Sequence, residues 1–192
     1  MNKFCDPDSY SDGDSRAEVS EKITNNLDIL TQIANRRKFD EMFTVAIKKA
    51  KTTVCYLSIL MIKVDYFNNL SETDGQLSGD DCLRQVALTL KNTLKRSGDL
   101  AARWDDEKFA CILSDTDPAG AADMAEKIRK KVVDLAIPNS ASAVAAVVTV
   151  SIGVVTSILT DETSYDTLLK NADHALSTAI EMGRNQIYIC ES

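Results

Sequence analysis

The sequence predicts an α+β fold, with a central, mostly antiparallel five-stranded sheet flanked by helices. Two observations carry that expectation. Segments with apolar residues at helical spacing alternate with short strand-like runs, in the order helix, strand, helix, hairpin, helix, strand, helix, strand. The first strand, within "VCYLSILMIKVD", is apolar almost without interruption, which implies cover on both faces.

The elements follow in order. Residues 1–15, "MNKFCDPDSYSDGDS", have little to bury and read as a flexible leader. In residues 16–27 an amphipathic lead-in helix is expected, with Val19, Ile23 and Leu27 on a stripe that continues to Leu30. The domain proper spans 28–192. Its first helix starts at Asn35, an N-cap residue type, and sets Phe39, Met42, Phe43, Ala46 and Ile47 on one face. Lys48, Lys49 and Lys51 suit the C-terminal end of that helix. After the first strand comes a polar loop with Gly75 and Gly79, then a helix over 77–95 whose stripe is Cys82, Leu83, Val86, Leu90 and Leu94, closed by Gly98. A hairpin occupies residues 100–117. Pro118 opens a helix to about Leu135, with Ala121, Met124, Ala125, Ile128 and Val132 inward. "AVVTVSIGVVTS" is a β-branched strand, "SYDTLLKNADHALSTAIEMG" a helix ended by Gly183, and "NQIYIC" a last strand.

Composition excludes several classes. A chain of 192 residues with 22 Lys+Arg against 29 Asp+Glu carries a formal charge of -7, which disfavours binding to a nucleic acid polymer. Cys5, Cys55, Cys82, Cys111 and Cys190 are odd in number and lack a CxxC pair, so neither a disulfide framework nor a zinc site is expected. Cys55 and Cys111 fall in expected strands as small hydrophobes. No apolar run is long enough for membrane insertion and no signal pattern opens the chain, so a cytoplasmic protein is expected. The single histidine, His174, has no Cys, Ser or second His at useful spacing and reads as a surface or packing residue.

The chemistry concentrates in "RSGDLAARWDDEKFACILSDTD". Taken alone, Asp105, Asp106 and Glu107 describe a charged hairpin tip, and Arg96 with Gly98 describes a helix end. With "DILTQIANRRKF", "KVDYFNNLSETDGQLSGD" and "VTVSIGV...ADHALSTAIEMGRN", however, the stretch resembles the GGDEF domain of bacterial diguanylate cyclases, over roughly residues 27–190. The resemblance implies a nucleotidyl-cyclase, palm-like fold in which two domains, each holding one GTP, meet to make cyclic di-GMP.

It also exposes departures. The family's signature, Arg, aromatic, Gly, Gly, acid, Glu, Phe, stands here as Arg103, Trp104, Asp105, Asp106, Glu107, Lys108, Phe109. Two carboxylates replace glycines that offer positive φ and close backbone approach to a triphosphate. Glu107 keeps a metal-ligand position. The other metal carboxylate, expected two residues before Asp65, is Lys63, and a cation about 4 Å from magnesium would be repelled by roughly 4 kcal/mol per unit charge at a dielectric of about 20. Ser71 replaces a guanine-reading Asn while its partner is kept as Asp80; Ile180 replaces a phosphate-binding Lys while Arg184 is kept; Asn68 and Gln76 replace a Lys and a His. Asp65, Asp80, Glu107 and Arg184 are therefore remnants of a GTP site, and no magnesium or other cofactor is expected unless residual cyclase activity persists, with Glu107 the metal ligand in that event.

In contrast, "RSGD" matches the family's RxxD inhibitory site for cyclic di-GMP. Arg96 supplies a fork for a guanine edge or phosphate, Asp99 an acceptor for guanine N–H groups, and Lys127 a charge in place of a basic residue reaching the ligand from a neighbouring surface. The implied function is an inactive, degenerate GGDEF domain acting as a cyclic di-GMP receptor. Two alternatives stand beside it: a cyclase with residual or altered GTP activity, and a protein interaction or dimerisation module that binds no nucleotide. The partners expected are cyclic di-GMP, GTP weakly, and a second copy or a downstream protein.

Overall fold

The computed structural model describes residues 26–70, 79–140, 142–160 and 163–190. The leader 1–15, the lead-in helix up to residue 25, Ser71, Gly75 and Gln76 lie outside the described residues.

Helix α1, Arg36–Thr53, starts where the sequence places it: the Asn35 side chain accepts from the Lys38 N–H at 3.0 Å. Strand β1, Tyr56–Val64, follows, then a short 3-10 turn, Phe67–Asn69, and helix α2, Gly79–Thr93. Strands β2, Leu100–Arg103, and β3, Lys108–Ser114, form the hairpin. Helix α3, Pro118–Val133, is capped by Asp117; strand β4, Val150–Ile158, helix α4, Tyr165–Glu181, and strand β5, Ile187–Cys190, complete the domain. The five strands are ordered β2-β3-β1-β4-β5, antiparallel except for the parallel β4–β5 pair.

Strand β1 lies in the middle of the sheet, and the period of two along it divides the core. Leu60, Ile62 and Val64 face the cluster built by α2 and α3. Leu57, Ile59 and Met61 face Phe39 and Phe43 of α1 and Leu168 and Leu176 of α4. Helices therefore cover both faces, as the uninterrupted apolar run requires.

Four expectations need correction. The stripe through Leu27 and Leu30 is not helical there, because Leu27 bridges Ala34 and the Asp28 carboxylate accepts from Thr31 N and Oγ1 at 2.9 and 2.6 Å, closing a turn. Gly98 does not cap α2: the helix stops at Thr93, and Gly98 belongs to a separate turn closed by Asp99 N–H on the Arg96 carbonyl at 3.1 Å. Cys55 sits just ahead of β1 and is half-buried, whereas Cys111 is buried inside β3 as expected. The strand expected from Ala146 begins at Val150, since Val147 is occupied in a bridge to Pro138. Among the described residues no helix is long and apolar enough to cross a membrane.

Candidate functional site

The end of β1 and the β2–β3 hairpin meet around one hollow of about 190 Å³, lined by Lys63, Asp65, Tyr66, Glu107, Ile180 and Arg184 among others. Antiparallel register sets Lys63 opposite Lys108, so two cations face each other across the ladder. Each turns to an acid. Lys63 Nζ lies 2.8 Å from Glu107 Oε1, and Lys108 Nζ lies 3.5 Å from Asp173 of α4.

Asp65 is 2 % exposed, and both its oxygens are taken from within. Oδ2 accepts from Thr149 Oγ1 at 2.7 Å and from the Asn185 N–H at 3.1 Å, while Oδ1 accepts from Ser151 Oγ at 2.7 Å. Arg184 and Asn185 adopt left-handed backbone at φ 63° and 47°, a conformation that also delivers the Arg184 guanidinium to within 4.5 Å of the Tyr66 ring centroid. From the opposite side, Arg129 of α3 clamps Glu126 through Nε and Nη2 and reaches Asn185 Oδ1 at 2.7 Å. Its hydrogen bond holds the Glu126 carboxyl below the usual range.

The hairpin loop is knitted by its own side chains. Arg103 donates to the carbonyls of Asp105 and Asp106 at 3.2 and 3.0 Å and to Asp28 Oδ1 at 3.2 Å. Burial pushes the Asp28 carboxyl up, but the Thr31 and Arg103 hydrogen bonds outweigh it and leave the group below its ordinary value. Trp104 lies under the Arg36 guanidinium, 3.2 Å from the ring centroid, and against the edge of Phe39. Asp105 Oδ1 accepts from the backbone N–H groups of Lys108 and Glu107 at 3.0 and 3.3 Å. Successive amides in a tight turn attract anions, and here the chain's own carboxylate occupies them. None of residues 104–107 has positive φ, so the loop forms without the backbone freedom that the missing glycines would have given.

Magnesium does not fit the residues present. Glu107 is held by an ammonium, Asp65 is saturated by internal donors, and the described residues contain no group of three or more His, Cys, Asp or Glu placed to hold a metal. Asp80 stands exposed in the first turn of α2, outside the hollow's lining, while Asp106 is exposed at the loop tip. His174 is exposed on α4.

The RxxD turn lies at the other end of β3. Asp99 Oδ1 accepts from the Ser114 N–H at 3.3 Å, and Ser114 Oγ donates to the Gly98 carbonyl at 2.8 Å. Burial raises the Asp99 carboxyl above its usual value, against the opposing effects of Ser114 and Arg96. Arg96 is exposed, donates to Thr116 Oγ1 at 3.3 Å, and has no carboxylate within ion-pair distance among the described residues. Lys127 is exposed on α3, one turn before Lys131, whose Nζ reaches Thr93 Oγ1 at 3.3 Å at the end of α2. Thr149, Ser151 and Asn185 had no signal in the sequence, because their part in the site depends on β4 and the α4–β5 turn closing around Asp65.

This sheet order, with a signature hairpin beside the end of the central strand, defines the class, and comparison identifies the family. The profile described as "Diguanylate cyclase, GGDEF domain" matches residues 25–186, and the chain belongs to that family. Diguanylate cyclase A of Treponema denticola is 33% identical over 170 residues, covering 86% of this chain and 44% of that protein. The response regulator PleD of Caulobacter vibrioides is 32% identical over 181 residues, covering 90% and 39%. The chain thus spans less than half the length of these relatives. Among solved structures, diguanylate cyclase SiaD from Pseudomonas aeruginosa, in complex with its activator SiaC, superposes with a TM-score of 0.78 at 27% identity, covering 92% of this chain and 66% of that one. The coiled coil and GGDEF domain of DgcB from Caulobacter crescentus, in complex with c-di-GMP, gives 0.77 at 26% identity, covering 92% and 96%.

Proposed function

We propose that this GGDEF domain is catalytically inactive and serves as a cytoplasmic cyclic di-GMP receptor in bacterial second-messenger signalling, binding through Arg96 and Asp99 with Lys127 adding charge. The observation that carries the reading is the 2.8 Å pair between Lys63 and Glu107, which spends the remaining metal-ligand carboxylate on a cation. Phosphoryl transfer depends on metal ions and positioned anion donors, and the loop amides are likewise engaged, by Asp105.

The RxxD turn has the opposite character. Its backbone is fixed by Ser114, yet the Arg96 fork is open to a guanine edge or phosphate. A receptor without catalysis acts through a partner, a second copy of the chain or a downstream protein.

Titration calorimetry with cyclic di-GMP tests the reading. Binding by the full chain that Arg96→Ala abolishes is the expected result, and no binding by the unmodified chain would overturn it. Incubation with GTP and magnesium should leave GTP unchanged; accumulation of pppGpG or cyclic di-GMP would replace this reading with that of an active cyclase.

A further inference from the structure

A second hollow of about 300 Å³, with Asp99 in its lining, lies between the turn at residues 26–34, the end of α2 and the outer edge of β2. Its wall is mostly apolar, made by Leu27, Ile33, Leu94 and Leu100. Ile33 and Leu94 belong to the core, so the floor is held rigidly. Among the described residues, edge strand β2 is covered only at its far end, where Ala34 bridges Ala102 and its carbonyl accepts from the Arg103 N–H at 2.8 Å. The Leu100–Ala101 stretch therefore faces the hollow rather than another strand.

Two cations stand over this apolar floor. Lys91 is exposed in the last turn of α2 with no ion pair among the described residues, and Lys38 has only a solvent-exposed contact to Glu41 at 3.4 Å. On a chain of charge -7, an apolar cavity lined by two lysines against one carboxylate, Asp99, is a local reversal of sign. Its volume suits one or two fused rings, and its lysines suit a sulfonate, carboxylate or phosphate attached to them.

We propose that this hollow is a ligand site for a small amphipathic anion with a flat apolar body, held by Lys38 and Lys91 and separate from the RxxD site. The two sites share a residue. Asp99 lines the hollow and also anchors the RxxD turn through Ser114, so an occupant here alters the setting of the carboxylate offered to cyclic di-GMP. The ligand inference does not rest on the receptor reading, since Lys38, Lys91 and the apolar wall carry it without Arg96.

The probe is 8-anilinonaphthalene-1-sulfonate, titrated into the full chain by fluorescence and compared with N-phenyl-1-naphthylamine, which has the same rings and no charge. Saturable binding of the sulfonate at one site is expected, with the neutral analogue weaker. Lys38→Glu with Lys91→Glu should weaken the sulfonate by about tenfold or more. The same charge change at Lys48 and Lys170, exposed on other helix faces, should leave it in place, as should Arg96→Ala. Absence of saturable binding, equal affinity for the neutral analogue, or equal loss in the Lys48 and Lys170 control would each overturn the proposal. A loss of cyclic di-GMP binding in Arg96→Ala with sulfonate binding intact separates this site from the other.

Discussion

At the scale of single residues, two carboxylates illustrate how the same chemistry is put to opposite uses. Asp65 is buried with three donors on it, so Asp65→Ala strands Thr149, Ser151 and the Asn185 amide without their acceptor. At roughly 1 kcal/mol or more for each unsatisfied group, the variant should lose about 3 kcal/mol in urea denaturation. Lys63→Ala, by contrast, removes only a partly exposed pair and should change stability by about 1 kcal/mol or less. Asp99 behaves differently again. Burial raises its pKa in the folded chain, so the folded state binds the proton more tightly than the unfolded state. Its contribution to stability is then greatest below the unfolded pKa and falls as pH rises through the folded one. Asp99→Asn, which keeps an acceptor for Ser114, should match or exceed the parent's stability at neutral pH while losing cyclic di-GMP binding. The parent's own affinity should drop as pH falls through the raised pKa of Asp99, because a protonated Asp99 no longer offers two acceptors to guanine N–H groups. Calorimetry across that range checks it, and a flat profile would count against Asp99 as a ligand group.

At the scale of elements, two helix contacts carry testable strain. Helix α1 ends on Val54 at φ 53°, a left-handed position for a β-branched residue, and the side chain is 70% exposed. Nothing in the core holds it there, so Val54→Gly should stabilise the domain by about 1 kcal/mol, seen as a higher Tm. Gly153 is the converse. A Cβ there would overlap Leu176 N, lie 2.5 Å from Ala172 O and 2.7 Å from Ala175 C, all backbone of α4, so Gly153→Ala should force α4 off β4 and cost roughly 3 kcal/mol. Neither position could be recognised from local sequence. Elements with a strong local signal were legible: Asn35 starts α1 by capping Lys38, and the continuous apolar run of β1 answers to helices packed on both of its faces. The stripe through Leu27 and Leu30 misled because its turn is closed by Asp28 and tied to Arg103, 75 residues away. The candidate site divides the same way. Lys63, Glu107 and the RxxD residues stood out as types at family positions, but the cradle of Asp65 is assembled across sequence separations of 84, 86 and 120 residues.

At the scale of the whole molecule, β3 separates the signature loop from the RxxD turn. The signature loop enters at Lys108, the RxxD turn is pinned at Ser114, and six strand steps of about 3.4 Å put roughly 20 Å between them. Changes confined to one end should therefore leave the other nearly untouched, since residues this far apart without shared partners behave additively. Lys63→Asp alone returns a carboxylate beside Glu107 and removes the ion pair, yet Asp105 still holds the loop amides and the variant should form no product. Combining it with Asp105→Gly frees the Glu107 and Lys108 amides as well. In that double variant, crowded carboxylates lower the Tm in the absence of metal, and magnesium with GTP should raise it, whereas the parent should not respond. Cyclic di-GMP affinity through Arg96 should stay within about twofold of the parent in both variants. A double variant that gains no magnesium response would show that Lys63 and Asp105 are not what closes the site. A large change in cyclic di-GMP affinity would show instead that the two ends of β3 are coupled, with the Asn185–Arg129 link to α3 as the route the structure offers.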